Sequence, residues 1–117
     1  MAVKKSGQLV LFRFPQTDLI LGKLRPALLL APLPSGRNDL LVCMISSQIG
    51  HAIAGVDEII NASDPDFPAS GLKATSMIRL TRIAAVSDSI FSGVIGEISA
   101  VRLGNLKRRL AQWIESS

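Results

Sequence analysis

The stretch Lys23-Leu24-Arg25-Pro26-Ala27-Leu28-Leu29-Leu30 decides how this chain folds. Its second half is wholly apolar and reads as a strand of a buried sheet. Pro26 cannot donate a ladder hydrogen bond, so it belongs at the start of that strand or on an edge. Arg25 therefore stands at the mouth of an apolar strand. Its planar fork of five donors stays charged at any ordinary pH.

Downstream, Pro32 to Asp39 collects Pro, Ser, Gly, Arg, Asn and Asp, which is turn chemistry. A second apolar run follows, Leu40 to Ile45, ending in Ser46-Ser47-Gln48. If the two runs pair, a guanidinium and hydroxyls meet at one end of a sheet, a combination suited to a phosphate. Two bland readings stand beside this. Arg25 can be a surface residue paired with Asp18 or Asp39, and the serines can simply satisfy turn backbone groups.

Upstream, Gly7 to Pro15 reads as a first strand, and Gln16 to Lys23 as a loop. Beyond the serines, Ile49 to Val56 reads as a loop and Glu58-Ile59-Ile60 as a short strand. Asn61 to Gly71 is a crossover connection, since Asp64-Pro65-Asp66-Phe67-Pro68 admits no long regular element. Ser76 to Leu80 and Ile83 to Val86 are two strands or one bent strand, and Val94 to Ile98 is the last. Ser99 is a plausible N-cap for a helix. Leu103, Leu106, Leu110, Trp113 and Ile114 form its apolar stripe, with Trp113 packing it on the sheet. Arg102, Lys107, Arg108 and Arg109 spread around this helix and read as solvated. Many short strands followed by one amphipathic helix predict a mainly β, α+β domain: a small barrel with the helix packed on it.

The 117 residues fit one domain, 1–117. Hydrophobic residues make up 48% and mean hydropathy is +0.38. So much apolar surface on so small a chain suggests a homodimer interface. No segment reads as a membrane span or signal peptide. The uncharged run from Pro26 to Gly36 is interrupted by three prolines, and it falls well short of roughly 18 residues. One cysteine, Cys43, and one histidine, His51, exclude an internal disulfide and a Cys/His zinc cluster. Asp57, Glu58, Asp64 and Asp66 show no EF-hand or other metal spacing, and Gly22-Lys23 lacks the rest of a P-loop; no metal and no cofactor is expected. Cys43 reads as core. His51 has an unperturbed pKa near neutrality but lies in a loop with no carboxylate at a suggestive spacing. A net charge of +4 permits a polyanionic partner, and the cytoplasm is the default location.

The ordered set of motifs resembles the PemK/MazF toxins. The resemblance opens with Gly7 to Leu11, Phe14-Pro15, Thr17-Asp18, Lys23 and Arg25 to Leu30. It runs on through Ile45-Ser46-Ser47-Gln48, Asp66-Phe67, Ser70 to Lys73 and Ser76 to Leu80, and closes with Ile95 to Ser99 and the amphipathic helix. The resemblance implies an SH3-like barrel with a C-terminal helix and a homodimer. It also implies a metal-independent endoribonuclease acting on single-stranded RNA and neutralised by a cognate antitoxin. Arg25 and Ser46 match the family's catalytic arginine and hydroxyl. Asp18, Lys23, Ser47, Gln48 and Arg82 are then candidates for substrate binding. Many members have threonine where this chain has Ser46, and an acidic residue followed by Gln or Lys where it has Thr81-Arg82. Related gyrase-poisoning toxins share the fold and grip a protein through the end of the C-terminal helix, but the acidic, hydroxylated end here, Trp113 to Ser117, does not resemble that grip. The alternative is a catalytically degenerate barrel that binds RNA, an antitoxin or another protein, gyrase-poison-like action included.

Overall fold

The structure is a computed structural model and describes residues 5–13, 24–35 and 37–117. Six strands form one sheet: β1 (Gln8–Arg13), β2 (Leu24–Pro32), β3 (Asp39–Ser46), β4 (Glu58–Ile60), β5 (Ser76–Ser87) and β6 (Phe91–Glu97). Their spatial order is β4-β5-β3-β2-β1-β6, and every pairing is antiparallel. A one-turn helix, α1 (Phe67–Ser70), interrupts the β4–β5 connection, and α2 (Ala100–Ser116) ends the chain.

The expected mainly β sheet with a C-terminal helix is present. The closed barrel is not: among the described residues β4 and β6, the ends of the order, share no ladder. The sheet instead coils around two apolar clusters. Leu28 and Leu30 of β2 enter the first, with Leu9, Cys43, Ile45, Ile78, Leu80 and, from α2, Leu106 and Leu110. Ala27 and Leu29 enter the second, with Val10, Phe12 and Val42. Strand β2 is thus buried on both faces, which is why it reads as a continuous apolar run without alternation.

Strand β5 is one bent strand. Its register against β3 jumps from Met44–Arg79 to Cys43–Ile83, so Leu80, Thr81 and Arg82 have no partner in that ladder. Such a bulge bends a strand and frees backbone groups. Asp57, nearly buried at 7% exposure, fills the gap: its carboxylate accepts Thr81 N–H at 3.2 Å and Thr81 O–H at 3.1 Å. It also accepts Ile53 N–H at 3.0 Å, tying down the loop after β3. Thr81 therefore has a structural task here.

The helix begins as expected, with the Ser99 hydroxyl accepting Arg102 N–H at 3.1 Å. Its apolar stripe is shorter than its sequence suggests. Leu103, Leu106 and Leu110 reach the first core, whereas Trp113 and Ile114 are exposed at 37% and 58%. They follow Leu110 by one turn, beyond the last residue that α2 gives to the core.

Candidate active site: an arginine–serine cleft

A cleft of about 560 Å³ opens where β2 begins and β3 ends. Arg25, Ser46, Ser47 and Gln48 line it together, with Lys73 from the α1–β5 connection, Ser76 at the start of β5 and an apolar floor that includes Leu11, Ile45, Leu72 and Ile95. The sheet register brings its two leading residues together. Ala27 pairs with Met44. Beyond that pair β2 runs back to Arg25 and β3 runs on to Ser46, which brings both residues to the same end of the sheet and into one cleft.

The bland readings of these residues can now be weighed. Asp39 lies at the opposite end of β3 from Ser46, roughly 23 Å away along an extended strand, so it does not pair with Arg25. Asp18 and Lys23 lie outside the described residues. No carboxylate, imidazole or thiol is among the cleft's described lining residues. The turn role of Ser46 is real: its Oγ accepts Gln48 N–H at 3.1 Å. A hydroxyl has one proton to give besides its lone pairs. Accepting from Gln48 fixes the oxygen and leaves that proton available to the cleft, so the turn and a ligand contact are compatible.

Other candidates fall elsewhere. Arg82 is exposed on the bulge of β5 and is not among the cleft's lining residues. His51 ends a short 3-10 turn, exposed and outside the lining. Cys43 is fully buried in the first core, and burial pushes its thiol up to about 12, which keeps it a neutral core residue. Lys73 and Ser76 line the cleft without having been singled out as site residues from the sequence.

The helix cations need a correction. Arg102 is not solvated. Its guanidinium donates to Glu58 at 2.7 Å, Asp64 at 2.8 Å and both oxygens of Asp66, at 2.9 and 3.0 Å. Arg109 reaches Glu58 at 3.2 Å. Hydrogen bonds from Arg102, helped by Ser99 N–H at 3.0 Å, hold the Asp66 carboxyl down at about 2. The acidic residues of the crossover connection thus serve to dock it onto α2.

Comparison with known proteins agrees with this architecture. Among solved structures, a chain of a MazE–MazF crystal structure from Deinococcus radiodurans superposes with a TM-score of 0.74 at 20% identity, covering 100% of both chains. An endoribonuclease in complex with its cognate antitoxin, from a mycobacterial species, gives 0.68 at 12%, covering 97% of this chain and 96% of that one. The Mycobacterium tuberculosis toxin MazF-mt6 gives 0.67 at 14%, covering 92% and 96%. At such identities the likeness is one of fold. A search of curated proteins finds no match. Residues 5–114 match the family described as PemK-like, MazF-like toxin of type II toxin-antitoxin system, and the chain belongs to that family.

Proposed function

We propose that this protein is an endoribonuclease that cuts single-stranded RNA by attack of a ribose 2′-OH on the adjacent phosphate. The observation that carries this reading is that Arg25, from the start of β2, and Ser46, from the end of β3, line one cleft whose described lining includes no carboxylate. Attack of the 2′-OH builds a pentacoordinate phosphorane with added negative charge. Arg25 faces that charge with a fixed cation, and Ser46 adds a hydroxyl donor. Removing the charged donor, Arg25, should cost about 100- to 1000-fold in rate. Neither residue is an easy proton acceptor near neutrality, so in-line positioning of the 2′-OH carries much of the rate. The charge is supplied by a side chain, so the step as written needs no metal ion. The apolar floor holds the strand while the chemistry occurs at the polar rim.

The same reading makes the protein a homodimeric toxin of the cytoplasm, silenced by a separate antitoxin protein. It takes the coiled sheet as an opened form of the SH3-like barrel. Similarity to an endoribonuclease bound to its cognate antitoxin supports the partner, as does the basic balance of the chain.

The test is incubation of purified protein with a long RNA in EDTA. Cleavage is expected to leave 2′,3′-cyclic phosphate and 5′-hydroxyl ends, and a 2′-deoxy substitution at the cut should abolish it. Products with 5′-phosphates would overturn the mechanism. A binding-only member of the family is the second reading, favoured by Trp113 and Ile114 exposed near the end of α2. Gel shift of RNA without cleavage, or inhibition of gyrase supercoiling, would support it.

A further inference from the structure

Lys73 enters the cleft from a different segment than Arg25, and its backbone is locked. Gly71, at φ 76°, ends α1 in the left-handed region, and a Cβ there would stand 2.1 Å from the Ile95 carbonyl oxygen. Gly96 answers from β6: its Cβ would stand 2.2 Å from the Ala69 oxygen. Only two glycines let the α1–β5 connection lie this close to the sheet. The buried Ser70 hydroxyl donates to Phe67 O at 2.6 Å and accepts Leu72 N–H at 3.1 Å. Thr75 Oγ1 accepts Ala62 N–H at 2.9 Å. Fixed backbone thus flanks Lys73 on both sides, while its side chain is exposed. Among the described residues it has no ion-pair partner.

Two exposed cations line one cleft with no carboxylate among its described lining, which gives that cleft a positive potential suited to an anion. One phosphate satisfies Arg25. A nucleic acid strand brings further phosphates at fixed intervals, and a compact ammonium on a flexible stem suits a solvent-exposed phosphate oxygen as a point charge. We propose that Lys73 binds the phosphate next to the scissile one, so that the RNA strand is held at two successive phosphates, by Arg25 and Lys73. This rests on the RNA-cleaving reading above. The role of Lys73 is binding, and the reacting phosphate stays with Arg25 and Ser46.

The experiment compares full-length wild type, Lys73→Ala and Lys73→Arg. Each is titrated with a mixed-sequence 2′-O-methyl RNA, which cannot be cut, over a range of salt concentrations. Single-turnover cleavage of ordinary RNA is then measured at saturating protein. For Lys73→Ala the expected result is several-fold weaker binding at low salt, with the gap closing as salt rises. The log–log salt slope should be smaller by about 0.7, the value for one phosphate contact on a single strand. Saturated cleavage should stay within a few-fold of wild type, and Lys73→Arg should restore both affinity and slope. An unchanged slope overturns the inference. A large loss of saturated rate with unchanged binding overturns it too, pointing to proton transfer. Failure of Lys73→Arg to restore the salt slope does the same, since that slope counts phosphate charges neutralised and not side-chain shape. If wild type neither binds nor cuts RNA, the RNA reading and this inference fall together. If wild type cuts RNA while Lys73→Ala binds and cuts as it does, only this inference falls.

Discussion

Arg25 and Arg102 are the same residue type in opposite surroundings. Arg102 lies between the start of α2 and the crossover connection, and three carboxylates spend its donors. Arg25 lies at the mouth of β2 in a cleft where no carboxylate is found among the described lining residues. The first arrangement closes a structure; the second leaves a charge for something from outside. What separates them is their partners, and those are set by the fold.

The comparison breaks first at Arg25. Arg25→Ala should lower RNA cleavage about 100- to 1000-fold with little change in thermal midpoint. An equal loss of stability would mean that Arg25, like Arg102, is structural. Arg102→Ala should do the reverse. It strands three carboxylates and should cost about 3 kcal/mol of unfolding free energy in urea, with the rate per folded molecule retained. A stable variant would show the cluster to be ornamental.

Ser46 gives a smaller effect. Ser46→Ala removes one neutral donor and should slow cleavage roughly tenfold, about 1.4 kcal/mol, whereas Ser46→Thr should keep most of the rate. A full-rate alanine variant would reduce Ser46 to its bond with Gln48 N–H.

The smallest effect is the response to acid. Asp66 titrates at about 2 when folded, below its ordinary 3.8. It therefore adds stability above its ordinary value, and that contribution is lost as pH falls through about 4 toward 2. The cluster keeps some solvent contact, which limits the size of the effect. Urea midpoints measured across this range should fall for wild type and flatten in Asp66→Asn. Equal slopes for the two proteins would remove Asp66 from the account.

Much of the architecture was legible in the residues. Leu28-Leu29-Leu30 announced a strand, Pro32 to Asp39 a turn, and Ser99 a cap, because each is local chemistry. Arg25 and Ser46 were legible as a pair once the two apolar runs were set side by side. What escaped was long-range. The carboxylates of Arg102 lie 36 to 44 residues away in sequence, so its helix position alone made it look solvated. Lys73 sits in an ordinary Gly-Leu-Lys-Ala stretch, and its place depends on how closely Gly71 and Gly96 let two backbones approach. Closure of the sheet was overread because strand count does not say whether the end strands meet. Trp113 was overread because helical spacing does not say how far along a helix its core contacts reach.

Burial of β2 on both faces has a consequence for how this molecule can change over generations. A slip of one residue would exchange Leu28 and Leu30 with Ala27 and Leu29 between the two cores, so the strand has a single workable register. The guanidinium at its mouth inherits that fixity. A lineage can reshape the cleft by rebuilding the loops around it, but it cannot relocate the charge without dismantling the domain. A molecule designed to occupy that charge would aim at the least movable point of the surface.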